Sequence, residues 1–429
     1  MQLTKRVAIA TVVITLGLGT FSVFGADGES LPDPYQLGSR WSITATNGWG
    51  LGQGDPTTIR WGFLQEETSI PAAYPDHGQV TGPSNLISSL DAQFEVVLGG
   101  SDLTQRPWFQ YFSSSFTRMS EVCGLTEVYE PNDDGAPFYY SSGSTGVRGD
   151  VRIGGTTIDG GYGILAYNYY PNTGDMVIDT ADMSYFDNSY GNFLRLRNML
   201  MHEHGHGVGI GHVESSDSQF LLEPYINTNF DGPQFDDVLA LHRHYGDANE
   251  KANAGAGNDT HSNATDFGAV AFGQTVTIGA DATDKVVAST DIDFVSIDDN
   301  SDTDFFSFTV STGASVSLTV TPLGPTYMQG PQGKTQTSFD SSSQSDLTLE
   351  LLDSDGTALL ALANSTGLGS AESLEDIELF DAGTYFVKIT GNADEAQLYQ
   401  MDMTVTPEPA TLSLLAMGAL AIFRRRKSR

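Results

Sequence analysis

The segment Met201-His202-Glu203-His204-Gly205-His206-Gly207-Val208-Gly209-Ile210-Gly211-His212 decides the reading of this chain. It contains four of the eight histidines in 429 residues. His202 and His206 are four residues apart, so on a helix both imidazoles leave one face and meet a single ion. Glu203 stands beside the first of them, where a carboxylate reaches a water on that ion. Gly209 permits the sharp turn that ends the helix and swings His212 back as a third ligand. Three protein ligands leave one position open, as a catalytic zinc requires. A metal held in this way lowers the pKa of its water toward ~7, and Glu203 takes the proton as the water attacks a carbonyl. His204 points off the ligand face and is expected to be exposed or to lie behind the ligands. His77, His242, His244 and His261 have no comparable spacing and read as ordinary surface or core residues.

Working outward, Phe193, Leu196, Met199 and Leu200 recur on one face and predict a helix over 192–207. Trp108, Tyr111, Phe112, Phe116 and Met119 predict an amphipathic helix within 103–123. Residues 41–44 and 58–61 have strand-like composition, and 152–170 reads as extended with Gly-rich breaks. The span 35–246 is therefore one mixed α/β unit. Residues 247–257 are small and polar, a linker. Beyond it, 258–405 carries short alternating runs such as Phe306-Ser307-Phe308-Thr309-Val310 and Tyr385-Phe386-Val387-Lys388-Ile389, broken by turns such as Asp353-Ser354-Asp355-Gly356. That is the pattern of an all-β sandwich. The fold class expected is α+β: a mixed twisted sheet with the ligand-bearing helix, followed by a β-sandwich domain.

Both ends read as processing signals. Lys5 and Arg6 precede an apolar stretch from Val7 to Phe24, so 1–25 is expected to be a signal peptide cut near Ala26. At the other end Pro407-Glu408-Pro409 is followed by an apolar run from Ala410 to Phe423 and then an Arg cluster. That run is short for a bilayer span, which takes ~20 residues. The formal net charge is −34. Removal of the leader and of 407–429 takes away seven basic residues and Glu408, leaving 13 basic against 53 acidic groups, about −40. Such a charge argues against nucleic acid and anionic membranes as partners. Cys123 is the sole cysteine, so no intrachain disulfide forms, and a buried, inert thiol is expected.

The segment 201–212 resembles the zinc signature of the metzincins, and its surroundings resemble the matrixin branch. Asp159-Gly160-Gly161 leads into Ile164-Leu165-Ala166-Tyr167, and 174–182 supplies the acidic stretch before the helix. Leu221-Leu222-Glu223-Pro224 stands where matrixins carry a Leu-Met-Tyr-Pro turn. Asp236-Asp237-Val238 to His244-Tyr245-Gly246 stands where they carry their last helix. The resemblance spans 35–246 and implies a metzincin-like catalytic domain. The 258–405 region is similar to bacterial pre-peptidase C-terminal domains, and 407–429 resembles the PEP-CTERM sorting signal that an exosortase cuts.

The resemblance implies one catalytic zinc on His202, His206 and His212 with Glu203 as base. It implies structural calcium on Asp159, Asp179 and Asp182, with Asp175 serving a second ion. It implies substrate contacts at Ala166, Pro224 and Tyr225. Leu222 replaces the methionine of the Met-turn, a nearly volume-conserving change. Tyr167 and Val177 occupy positions where animal matrixins place structural-zinc histidines, so no second zinc is expected. Cys123-Gly124 lacks the flanking residues of a cysteine-switch propeptide.

The function implied is a secreted or cell-surface zinc endopeptidase, exported through a Gram-negative envelope and monomeric, acting on protein or peptide. A surface-associated binding or adhesion protein with a relic metalloprotease fold is the alternative, and a hydrolase of non-peptide esters or amides a third. Retention of Glu203 with all three histidines favours the first. The strand beside the site favours an extended peptide as ligand.

Overall fold

The computed structural model describes residues 9–13, 35–97, 100–311 and 313–407. Most of the leader (1–25) and all but the first residue of the sorting signal (407–429) lie outside the described residues. Among the described residues no helix is long and apolar enough to cross a membrane.

The chain forms two compact units. The first takes the described residues of Met1–Lys251 with Asp284–Ile292 and Pro325–Asp340. The second takes Ala252–Thr283, Asp293–Gly324 and the described residues from Ser341 onward. The boundary falls inside the span 247–257, and two segments from beyond it belong to the first unit. Nothing in their composition marks them for it, because their partners lie far upstream.

In the first unit, strands β1 (Thr57–Phe63), β2 (Leu125–Tyr129), β3 (Val151–Thr156), β4 (Ile164–Tyr169) and β5 (Met176–Asp179) form a mixed sheet in the order β4-β5-β3-β1-β2. All neighbours are parallel except β4, which runs antiparallel to β5. The outer edge of β4 pairs antiparallel with the leader segment Ile9–Val13, Val12 opposite Ala166. Every residue of β3, β4 and β5 is buried, as a sheet covered on both faces demands. Along β4, Tyr167 and Tyr169 join an apolar cluster with Leu64, Ile70, Phe138 and Val177, while the alternate residue Asn168 meets the helix side.

Two helices cover the sheet. Helix α1 (Phe109–Glu121) buries Tyr111, Phe112, Ser115, Phe116 and Met119 on one face, and Trp61 of β1 stacks on Phe116 with ring centroids 4.5 Å apart. The helix lies within the expected span 103–123. Pro107 holds Arg106 in an extended conformation, so only a single 3-10 turn, Leu103–Gln105, precedes it. Helix α2 (Leu194–Gly207) packs against α1 and β4. Cys123 is buried, and desolvation raises its thiol to about 12, as an inert thiol requires. Helix α3 (Phe235–Tyr245) begins with a capping box formed by Gln234 and Asp237. Between α2 and α3 lies the two-residue strand β6 (Val213–Glu214).

The second unit is all-β. Its strands are β7 (Thr265–Ala269), β8 (Thr275–Ile278), β9 (Val295–Ile297), β10 (Thr303–Val310) and β11 (Ala314–Pro322), then, beyond residue 340, β14 (Leu347–Leu352), β15 (Leu359–Ala363), β16 (Glu372–Leu379), β17 (Gly383–Gly391) and β18 (Gln397–Pro407). Strands β12 (Thr326–Pro331) and β13 (Thr337–Asp340), which intervene in the chain, belong to the first unit. One sheet runs β7-β10-β17-β14-β15; the other runs β8-β18-β11-β16, with β9 also on β18. Alternate residues Phe306, Phe308 and Val310, Val316, Leu318 and Val320, and Tyr385, Val387 and Ile389 enter one core. These are the runs whose period-2 pattern is visible in the sequence.

Candidate metal centre

His202 and His206 lie on successive turns at the C-terminal end of α2, and both are buried. Gly209 turns the chain with φ +99°. A Cβ there would lie 2.5 Å from the carbonyl oxygen of Ser39, so both the conformation and the space require glycine. The turn is closed by Ile210 N donating to Gly205 O at 2.9 Å and Gly211 N donating to Gln36 O at 2.6 Å. Trp41 Nε1 caps it, donating to Gly207 O at 2.8 Å. His212 is thereby returned to the end of the helix.

The three Nε2 atoms lie 3.1 to 3.2 Å from one another. Each Nδ1 faces an oxygen. His202 Nδ1 donates to Leu221 O at 2.6 Å, His206 Nδ1 to Ile210 O at 2.7 Å, and His212 Nδ1 to Gln332 Oε1 at 2.8 Å. Each proton therefore sits on Nδ1, and three Nε2 lone pairs converge on one point. Neutral imidazoles so placed repel unless a cation lies between them. A tetrahedral ion with N at ~2.0–2.1 Å needs ligand atoms about 3.3 Å apart, so the triangle fits zinc. Burial disfavours protonation and moves His202 down to about 3 and His212 to about 4, with His206 also well below its ordinary value. Among the described residues this is a closed cluster of three nitrogen ligands.

Glu203, next to His202, is fully buried at the same site. Its charge, after burial itself, raises the phenol of the neighbouring Tyr170, whose ring is 5.8 Å from that of His206. Leu222 lies under the helix. A Cβ on Gly205 would come within 2.8 Å of Leu222 Cδ2, so the small residue in the signature makes room for the turn. Asp237 fixes that turn by accepting from Leu221 N at 2.8 Å and Leu222 N at 3.0 Å. The same turn presents the Leu221 carbonyl to His202, so α3 orients a ligand through two hydrogen bonds.

Residues 96–246 match the matrixin family model, 302–391 the bacterial pre-peptidase C-terminal domain, and 405–427 the PEP-CTERM protein-sorting motif. The chain is similar to a matrixin-type zinc metallopeptidase with a PEP-CTERM tail. The tail marks it for export, to the cell surface or beyond it. No curated protein matches it. Among solved structures, the pre-peptidase C-terminal domain of a collagenase from Bacillus anthracis is 15% identical, covering 33% of this chain and 94% of that one, with a TM-score of 0.18. PliG from Aeromonas hydrophila, a periplasmic inhibitor of g-type lysozyme, is 11% identical over 33% and 98%, with a TM-score of 0.18. A β-glucosidase from Paenibacillus barengoltzii is 13% identical over 34% and 12%, with a TM-score of 0.17.

The remaining residues singled out from the matrixin-like sequence fall in several places. Asp159, Asp179 and Asp182 gather around the Gly-rich loop between β3 and β4. Asp179 accepts from the backbone of Ile158, Asp159 and Ala181. Burial, then the charges of Asp179 and Asp159, raises Asp182 to about 6, and its buried Oδ2 accepts no hydrogen bond. That atom suits a cation, although the three carboxylates do not all close to within 4.8 Å of one another. Asp175 lies elsewhere. Its two oxygens accept from Arg152 N and Tyr139 N, both at 2.9 Å, and burial raises it to about 7. Tyr167 accepts from Gln79 Nε2 at 3.0 Å, and Val177 is its partner across the β4–β5 pair. Ala166 is on β4, Pro224 is buried, and Tyr225 is 49% exposed.

His204 takes the buried one of the two places open to it. It is not exposed but 1% accessible, and its Nε2 lies 2.6 Å from Glu127 Oε1 on β2, with Phe116 against the ring. The face of α2 opposite the ligands is itself covered by α1 and the sheet. Sequence reasoning missed Glu127 and Gln332, both distant in the chain. The Asp236-Asp237 pair at the start of α3 was a signal for the Asp237 clamp.

Proposed function

We propose that the chain is an exported zinc endopeptidase in which His202, His206 and His212 hold one zinc and Glu203 is the general base. The convergence of three Nε2 lone pairs, each backed by an Nδ1 hydrogen bond, carries this reading. The mixed sheet with one antiparallel edge strand, followed by the ligand-bearing helix, supports a metzincin-like catalytic domain. When bound, the ion supplies Lewis-acid polarisation and a more acidic water. The carboxylate of Glu203 takes a proton from the attacking water and delivers it to the departing amine nitrogen. Its burial keeps bulk water from competing for that proton.

The outer edge of β4 is the natural seat for substrate, because it accepts an extended chain running antiparallel, as the pairing with residues 9–13 illustrates. Ala166 contributes backbone groups there, and Pro224 and Tyr225, just beyond the Leu221–Leu222 turn, are the candidates for contact with a substrate side chain. This favours a peptide over a compact ester or amide. Retention of Glu203 beside an intact triad weighs against a relic that serves only in adhesion. Asp159, Asp179 and Asp182 are the candidates for calcium; the oxygens of Asp175 are already engaged by two amides. Removal of the leader and exosortase cutting of the tail complete maturation. The test is incubation of the exported chain with an unfolded protein, with and without a zinc chelator, alongside elemental analysis. One zinc per chain and chelator-sensitive cleavage are expected; cleavage that persists after the zinc has been removed overturns the reading.

A further inference from the structure

Residues 325–340 lie, in sequence, between two strands of the β-sandwich, yet they fold as a hairpin in the first unit. Strand β12 pairs antiparallel with β6, Val213 opposite Pro331 and Glu214 opposite Gly330. The paired strand thus begins at the residue directly after His212. Further contacts lock the register. Ser215 Oγ donates to Met328 O at 2.5 Å, Met328 N donates to Asp217 Oδ1 at 2.9 Å, and Gly333 N donates to Glu214 Oε2 at 3.1 Å. At the base of the hairpin Tyr327 is 1% exposed. Its hydroxyl donates to Asp236 Oδ1 at 2.7 Å, and its ring packs edge-on against Phe220, Phe235 and Phe339.

This anchored hairpin places the side-chain oxygen of Gln332 at 2.8 Å from His212 Nδ1. His202 and His206 donate the equivalent bond to main-chain carbonyls within twenty residues of themselves. Only the third ligand is oriented by a side chain, and that side chain is 120 residues away. Because Nε2 of His212 faces the other two imidazole nitrogens, its proton must be on Nδ1. The amide of Gln332 must therefore present oxygen, not nitrogen.

We infer that the 325–340 hairpin is a working part of the metal centre and that Gln332 is the positioning residue for His212, fixing its tautomer and ring orientation for zinc. The inference rests on the zinc-peptidase reading above. It implies that the matrixin-like region alone does not contain the whole site, because the third ligand is set by chain that follows the linker. An outer hydrogen bond of this kind is worth about 10–100-fold in metal affinity.

The test uses the full exported chain and zinc affinity measured by competition with a chromophoric chelator. Gln332→Ala should weaken zinc binding about 10–100-fold. Gln332→Glu keeps an acceptor at the same reach and should restore affinity to the parent value or better. The visible spectrum of the cobalt-substituted protein should change in Gln332→Ala and return in Gln332→Glu, a signature that a merely structural role would not produce. Equal zinc affinity and equal cobalt spectra in parent and Gln332→Ala would overturn the inference while leaving the zinc reading intact. Loss of affinity in Gln332→Ala that Gln332→Glu does not restore also overturns it, since the hairpin would then act without the acceptor. A parent chain that binds no zinc refutes the reading beneath both.

Discussion

Around α2 and α3 the first unit buries His202, Glu203, His204, His206, Asp236 and Asp237, each at 2% exposure or less. The core of the second unit is made of Phe306, Phe308, Val316, Leu318, Leu349, Val387, Ile389 and their neighbours, aliphatic and aromatic throughout. Both interiors are close-packed, but different constraints specify them. An apolar core needs volume and periodicity, and tolerates exchange among residues of similar size. A polar interior needs a partner for every buried atom, so each group depends on a specific donor or acceptor elsewhere in the chain. The first unit gathers such groups where the chemistry lies; the second sets its own, Asp304 with Asn258 and Tyr399, and Gln397 with main-chain carbonyls, beside an apolar core.

The widest separation between the two regions should appear in paired variants of the metal centre. Glu203→Gln should retain zinc and lose ~10²–10⁴ in turnover, since the amide is nearly isosteric but cannot accept the proton. His206→Ala should lose zinc and activity together, because two imidazoles no longer close the triangle. Zinc content set against turnover distinguishes the two; Glu203→Gln cleaving as fast as the parent would remove Glu203 from its role.

The apolar region should respond in the opposite manner. Leu318→Ala, in the centre of the second unit's core, should cost about 2–5 kcal/mol. Denaturant unfolding would show that cost, while zinc per folded chain stays at the parent value. A loss of zinc affinity without a shift in unfolding would contradict the division drawn here.

Buried polar groups also give the first unit a pH dependence that an apolar core lacks. His242 on α3 is buried with Nε2 2.7 Å from Val122 O, and desolvation lowers it to about 4 from an ordinary 6.5. The unfolded chain then binds more protons between those values. The contribution of His242 to stability is therefore complete above pH 6.5 and is lost as pH falls toward 4. It amounts to about 3 kcal/mol. Asp236 and Asp237, raised to about 7 and about 6 by burial, act in the opposite sense as pH rises from 3.8. The difference between parent and His242→Gln stability curves isolates the histidine. A difference that does not vary between pH 4 and 6.5 would refute this assignment.

The smallest effect belongs to the one apolar contact inside the polar site. Leu222 packs against Gly205 beneath the ligands. Leu222→Met conserves volume, so stability should change by less than ~1.5 kcal/mol and turnover little. A large change in turnover would show that the side chain under the metal does more than fill space.

Legibility in the sequence follows the same division. The strands of the second unit could be read because burial on one face leaves a period-2 trace, as in Val316-Ser317-Leu318-Thr319-Val320. The helix bearing His202 and His206 could be read because an i, i+4 pair is a local consequence of helix geometry. Helix α1 lies within the span 103–123 that Trp108, Tyr111, Phe112, Phe116 and Met119 mark, and Pro107 sets where it starts. The sequence left open whether His204 is exposed or buried behind the ligands, because nothing local distinguishes a face turned to solvent from one covered by another helix.

By itself, then, the sequence picked out His202, His206 and His212, Glu203 beside them, the glycine that turns the chain at Gly209 and the apolar alternation of the second unit. Each is encoded within a few residues by backbone geometry. The tertiary structure alone decided that Glu127 meets His204, that Asp237 holds the turn behind His202, and that Gln332 reaches His212 from 120 residues downstream. Hydrogen-bond partners of buried polar groups are chosen by proximity in space, and proximity across long chain separations leaves no period in the sequence.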